Sequence, residues 1–439
     1  MSVRRSDFPD NFIFGVATAS YQIEGAVNED RRGPSIWDAF SHTPGKIMTG
    51  ETGDIACDHY HRYKEDVRIM KELGIEGYRF SIAWPRVMPD GKQFNPKGMD
   101  FYQHLVDELL ENKIIPMITL YHWDLPLALN DSKGWLSDDT PLYFRDYAAT
   151  VFEKLGDRVK LWITLNEPWC SSFLGYFMGV HAPGHTNLQE AITAAHNLLR
   201  AHGLAVKEFR SIVKDGSVGL TNVVSKVEPA TDKLEDIEAA KVVDQLVNGW
   251  FHDTVIRGAY PAEARRSLEE IGVSVRNDDM DAISTPIDFF GVNYYTRQLI
   301  AFDPESPAKY KHIEGPLPKT EMGWEIYPQG LCDMLKRLWE SYKLPLYVTE
   351  NGMAGPDVLQ GGEVHDPYRI EYLESHFEKA LEAMKAGVDL RGYFVWTLMD
   401  NFEWAYGYSK RFGIVYTDYN TQKRYLKDSA KWYKEFLKS

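Results

Sequence analysis

The sequence predicts an α/β chain folded as a single (β/α)₈ barrel over residues 1–439, with long loops after the strands. Three observations carry that reading. Eight short apolar runs alternate with longer amphipathic segments over the whole length. No Pro/Gly/Ser-rich linker or low-complexity tract separates them. The connections that follow the runs are long in several cases, whereas those leading into them are short.

The runs are Ile13 to Thr18, Gly77 to Ile82, Ile115 to Leu120, Lys160 to Leu165, Val218 to Val223, Phe289 to Tyr294, Leu346 to Thr349 and Gly392 to Trp396. Strands apolar on both faces and separated by helices need a parallel sheet covered on each side. Eight of them suggest closure into a barrel rather than an open sheet. Between them, Tyr60, Tyr63, Val67, Met70 and Leu73 recur at three- and four-residue steps before Gly74, which marks one helix with a C-terminal stop. Tyr143, Tyr147, Val151 and Leu155 before Gly156 repeat the pattern. Asp366-Pro367 reads as an N-cap with a first-turn proline; Ile370, Leu373, Phe377, Leu381 and Met384 form the inner face, and Gly387 ends the helix. The long connections are Tyr21 to His59, Tyr295 to about Tyr327 and Thr397 to about Lys427. Loops gathered at one end are where a barrel builds its site.

Composition narrows the function. Hydrophobic residues make up 44% of the chain, enough for a large core. No run of 18 apolar residues is present and Met1 to Asp10 is charged, so neither a membrane span nor a secretory signal is expected. Cys57, Cys170 and Cys332 are odd in number and lack metal-ligand spacing, which fits a reduced, cytoplasmic setting. His59 and His61 stand near no other His or Cys that would complete a ligand set, and no metal is expected. Acidic residues outnumber basic ones by 15, and no long basic block appears, so nucleic acid and anionic membrane are not expected partners. The chain is open to being a monomer or a homo-oligomer.

Two runs end at a glutamate. Leu346-Tyr347-Val348-Thr349 leads to Glu350, followed by Asn351-Gly352 as a turn, and Leu161 to Leu165 leads to Asn166-Glu167-Pro168. Both carboxyl groups then stand at the C-terminal mouth of the barrel. Cleaving an acetal between sugars needs a proton for the leaving oxygen and stabilisation of an oxocarbenium-like carbon, which two carboxyl groups in opposite protonation states supply.

Thr164-Leu165-Asn166-Glu167-Pro168 and Val348-Thr349-Glu350-Asn351-Gly352 resemble the signature segments of the family 1 retaining β-glycosidases, the β-glucosidase group. The resemblance extends from Phe12-Ile13-Phe14-Gly15 through Tyr21-Gln22-Ile23-Glu24-Gly25 to Lys410-Arg411-Phe412-Gly413, essentially the whole chain. It implies a cofactor-free hydrolase of terminal β-glucosyl residues acting on cello-oligosaccharides and aryl or alkyl β-glucosides by double displacement. β-Galactosidase, β-fucosidase and transglycosylation side activities follow as expectations. Glu350 is implied as nucleophile and Glu167 as acid/base, with Arg79 and Tyr295 beside the nucleophile and Asn293 close to Glu167. The carboxyl groups of a retaining enzyme stand roughly 5 to 5.5 Å apart.

By the same resemblance Gln22, His122, Trp123, Asn166, Glu403 and Trp404 surround the sugar and Trp396 is its stacking platform. Trp169, Phe173 and Trp324 belong to the aglycone side. Within the family, the 6-phospho-β-glycosidase branch carries Ser, Lys and Tyr near Glu403-Trp404, whereas here Glu403 and Phe412 flank Lys410. A carboxylate at Glu403 is expected to repel a phosphate dianion. Cys170 reads as a small buried apolar residue. Two rivals from other classes are a non-catalytic carbohydrate-binding protein on the same fold and a barrel enzyme of phosphorylated metabolites. The second would need a Gly-rich phosphate cradle that Asn351-Gly352 is too short to form.

Overall fold

Each of the eight apolar runs forms a strand, and the strands close into a barrel. A computed structural model describes residues 3–273 and 275–439; of the charged stretch Met1 to Asp10, Met1 and Ser2 lie outside the described residues. In chain order the strands are β1 (Ile13–Ala17), β2 (Gly77–Ser81), β3 (Ile115–Tyr121), β4 (Leu161–Asn166), β5 (Ser217–Pro229), β6 (Phe289–Phe302), β7 (Tyr310–Ile313), β8 (Leu346–Asn351) and β9 (Leu390–Trp396). Parallel pairing runs β5-β4-β3-β2-β1-β9-β8-β6, and a β5–β6 pairing with Gly219 opposite Phe289 closes the ring. Every residue of β2 and of β8 is buried, as expected for strands covered by helices outside and by packed side chains inside.

Two strands run further than their local sequence indicates. β8 continues through Glu350 and Asn351, whereas the sequence places a turn at Asn351-Gly352. Asn351 is buried and its Nδ2 donates to the Tyr294 carbonyl at 2.6 Å. Gly352 is required for close approach: a Cβ there would meet the Trp396 carbonyl oxygen at 1.7 Å. β6 continues to Phe302, so the connection expected to start at Tyr295 begins as strand. Above the rim, β5, β6 and the antiparallel β7 form a twisted ribbon, under which Ala239, Ala240, Val243, Val247 and Ile300 make a small separate core.

The three expected helices are present as His59–Leu73, Thr140–Leu155 and Pro367–Lys385. Gly74 ends the first with φ of 78°, a left-handed position that suits glycine. Gly156 keeps φ of −68° and so does not act in that way. Asp366 makes no side-chain cap bond to its helix. Its carboxylate instead accepts from Ser429 N at 2.8 Å and Ser429 Oγ at 2.6 Å, because Arg369 and Lys427 draw it into a buried ionic cluster. In that cluster Lys427 Nζ lies 2.5 Å from Asp357 and 2.6 Å from Asp400, while Arg369 and Arg411 supply the remaining positive charge. The cluster ties the loop after β8 to the loop after β9. His59 pairs with Asp66, and His61 with Asp58 and Glu29. Among the described residues no helix is long and apolar enough to cross a membrane.

Candidate active site

Barrel closure brings the ends of β4, β6 and β8 together at one rim. Glu350 pairs across to Asn293 in the β6–β8 register, and Glu167 follows directly on β4, with its backbone N–H donating to the Thr221 carbonyl of β5 at 2.9 Å. Both glutamates are buried, at 3% and 5% exposure, yet both line one cavity of about 560 Å³. Glu167, Trp123 and Trp404 have φ of 44°, 79° and 51°, left-handed values that non-glycine residues hold chiefly where surrounding structure over-determines them, as at functional sites.

The two carboxyl groups have different partners. Arg79 Nη1 donates to Glu350 Oε1 at 2.6 Å, and Tyr295 Oη donates to Glu350 Oε2 at 2.6 Å. Glu167 receives no cationic hydrogen bond; Asn293 Nδ2 donates to its Oε1 at 2.7 Å. Asn293 is itself fixed, since its Oδ1 accepts from Thr349 Oγ1 at 2.7 Å. Burial and then the Glu350 charge push Glu167 up to about 8, against the Asn293 and Cys170 hydrogen bonds and the Arg79 charge. Burial also raises Glu350, but the Arg79 charge and the Tyr295 bond act on its ionised form and restrain the rise. The ionised form is therefore favoured at Glu350 and the protonated form at Glu167. Desolvation is the larger of the two causes that raise Glu167. Cys170, expected as a small apolar residue, is buried and lines the cavity beside Glu167.

A second set of hydrogen bonds surrounds the pair. Asn166 Oδ1 accepts from both Arg79 Nη2 at 2.6 Å and Asn293 Nδ2 at 3.0 Å. Only an oxygen can take both bonds, so the Asn166 amide nitrogen faces His122 Nε2 at 3.1 Å. Burial holds His122 neutral. With Nε2 accepting, its proton sits on Nδ1, which is buried without a protein partner. Gln22 Nε2 donates to the Phe402 carbonyl at 2.9 Å and to Glu403 Oε2 at 3.3 Å, leaving Gln22 Oε1 buried and unpaired. Trp396 and Trp404 each stack near-parallel to His122 at 5.8 Å, and Trp123 lies 4.5 Å from Trp404 with its Nε1 bound to the Asn166 carbonyl at 2.9 Å.

Burial, followed by the Glu350 charge, pushes Glu403 up to about 8. Burial and the neighbouring Glu350 charge thus favour the neutral form of Glu403, so the repulsion expected of a carboxylate there is weakened. Lys410 Nζ is held at the Glu321 carbonyl, 2.5 Å away.

Of the three residues expected on the aglycone side, Trp169 and Trp324 line the cavity. Phe173 does not; it stacks behind Trp169 at 5.7 Å and meets Trp250 edge-on at 5.5 Å, so it supports the wall instead of forming it. Met48, Val180, His181, Met322 and Gln298 line the cavity unannounced by any motif. They come from loops and from the overrun of β6, and no local periodicity signals them.

A family model described as glycosyl hydrolase family 1 matches residues 4–439. The "Beta-glucosidase A" of Thermotoga maritima is 51% identical over 443 residues, covering 100% of this chain and 99% of the relative. A "1,4-beta-D-glucan glucohydrolase" of Thermotoga neapolitana is 51% identical over 436 residues, covering 98% of each. A solved structure of the Thermotoga maritima β-glucosidase in complex with castanospermine superposes with a TM-score of 0.96 at 51% identity, over 98% of both chains.

Proposed function

The chain belongs to glycosyl hydrolase family 1, and from that membership and the site geometry we propose a retaining double displacement on terminal β-glucosyl residues, with Glu350 as nucleophile and Glu167 as acid/base. The protein is a β-glucosidase. The observation that carries the mechanism is the asymmetry of the carboxyl pair: Glu350 is bonded to Arg79 and Tyr295, and Glu167 to Asn293 alone among these three.

In the first half-reaction a Glu350 oxygen bonds to the anomeric carbon as the C–O bond to the aglycone breaks, and the Glu167 proton passes to the departing oxygen. The product is a glycosyl ester at Glu350. Esterification removes the Glu350 charge, one of the two causes that raise Glu167, and so makes the glutamate a better proton carrier in its ionised form. Glu167 then takes a proton from water as that oxygen attacks the anomeric carbon and Glu350 departs as carboxylate.

Arg79 and Tyr295 keep the nucleophile ionised, and Asn293 holds the acid. Asn166, Gln22, His122, Trp123, Glu403 and Trp404 are the groups for the sugar hydroxyls, with Trp396 beneath the ring. A neutral Glu403 beside Gln22 can donate or accept toward either epimer of a hydroxyl, which supports β-galactoside and β-fucoside side activity. The three buried, unpaired cysteines support a reducing, cytoplasmic setting, and the continuous core from Val3 to Phe436 supports residues 1–439 as one domain.

A panel of nitrophenyl glycosides, with NMR of the first-formed sugar, tests the reading. Release of β-glucose from β-glucosides is expected. Release of α-glucose as the first product, or no turnover of any β-glycoside, would overturn it.

A further inference from the structure

Beyond the catalytic pair, the overrun of β6 places an unpaired amide oxygen at a cavity wall rich in apolar side chains. Tyr295, bonded to Glu350, stands where β6 leaves the barrel, and the strand continues to Phe302. At about 3.3 Å per residue, Gln298 lies roughly 10 Å further out. The side chain of Gln298 lines the same cavity as Glu167, and its Oε1 is buried without a hydrogen-bond partner. Among the described residues lining that cavity, His122 alone shares this property, and it belongs to the glycone end. The neighbouring Thr296 hydroxyl is already committed to the Glu325 carbonyl at 3.0 Å. Trp169, Leu174, Val180, Met322 and Trp324 line the same cavity without a charge, with Ser225 and His181 as further polar lining residues.

An unpaired amide oxygen in such a wall is unfavourable until a donor reaches it. An aryl or alkyl leaving group brings no donor to that depth, whereas a second sugar carries hydroxyls around its whole ring. We propose that Gln298 is a specificity-determining residue that accepts a hydroxyl of a sugar leaving group in the outer half of the cavity. The enzyme then discriminates for disaccharides over aryl glucosides through this one amide, while the apolar wall takes either aglycone by contact. The inference rests on the β-glucosidase reading and names the leaving group it favours.

The test compares the parent enzyme with Gln298→Met, which keeps length and shape, and with Gln298→Ser, which removes the amide at smaller volume. For both variants kcat/KM on cellobiose should fall about fivefold to tenfold, the worth of one neutral hydrogen bond. On 4-nitrophenyl β-glucoside it should stay within about twofold. With the aryl glucoside as donor and cellobiose as added acceptor, transfer relative to hydrolysis should drop in the same proportion, because the acceptor uses the same hydroxyl contact. Equal changes on both substrates, or no change on cellobiose, overturn the inference. A parent that cleaves the aryl glucoside but not cellobiose overturns it too and leaves the β-glucosidase reading intact; a parent inactive on both defeats that reading instead.

Discussion

Replacing Tyr295 with Phe removes one oxygen from the surroundings of Glu350, the proposed nucleophile. The phenol donates to Glu350 Oε2 at 2.6 Å, and burial followed by the Glu350 charge holds its own ionisation far above neutral pH, so it remains a donor throughout the working range. Hydrogen bonds to charged groups contribute about 1.5–3 kcal/mol. At about 1.4 kcal/mol per decade, kcat/KM for 4-nitrophenyl β-glucoside should fall about 10- to 150-fold. Arg79 stays paired with the other oxygen at 2.6 Å, so the loss is partial.

A shift along the pH axis should accompany it. The Tyr295 bond acts to lower the Glu350 pKa, and the reaction needs Glu350 ionised. Losing the bond raises that pKa, and the acid limb of the kcat/KM profile should move to higher pH. The ring itself is kept, with its packing 5.3 Å from Trp324 and 6.3 Å from Phe412, so the thermal midpoint should change little. A folded variant whose kcat/KM lies within about threefold of the parent and whose acid limb has not moved would refute the reasoning.

Glu350→Gly should abolish turnover of aryl glucosides by several orders of magnitude, and formate should restore part of it by occupying the space of the lost carboxylate; a variant with near-parent activity in buffer alone would contradict the nucleophile assignment. Glu167→Gln should stabilise the fold, by about 1–2 kcal/mol at pH 8, since active-site groups are held at a cost in stability. The sign follows from linkage: the unfolded glutamate releases its proton near pH 4.3 and the folded one near about 8. Parent stability therefore declines across that window as pH rises, and the gain from the substitution should be larger at pH 8 than at pH 5 by thermal denaturation. Lys427→Met leaves Asp357 and Asp400 with less buried counter-charge and should destabilise by about 3–5 kcal/mol in urea unfolding; a cost below about 1 kcal/mol would show that Arg369 and Arg411 suffice.

The alternation of short apolar runs with amphipathic ones was enough to indicate the barrel, because burial on both faces leaves no polar positions along a strand. Glu167 and Glu350 were legible for a related reason: a charged residue closing an apolar run has to be where strands stop and loops begin. The family motifs then named His122, Trp123, Trp396, Glu403 and Trp404, which line one cavity with the two glutamates. Other features depend on which segments meet. β6 persists to Phe302 because β5 supplies a partner up to Pro229, so Gln298 reached the cavity without any strand signal beyond Tyr294 in its own sequence. Asp366 carries the letters of a helix cap, but Ser429 and Arg369 claimed its carboxylate once the C-terminal segment packed against it. Phe173 faces away from the cavity because Trp250, far along the chain, packs on it. Protonation was the least legible property of all. The ionisation of Glu167, Glu350 and Glu403 is governed first by removal from water, and the amount of water around a side chain is fixed only when distant segments close over it. The order of residues placed an acid at the end of each of two strands; the tertiary structure brought Arg79 and Tyr295 to one carboxyl group and Asn293 to the other, because those contacts form only when β2, β4, β6 and β8 close into one rim.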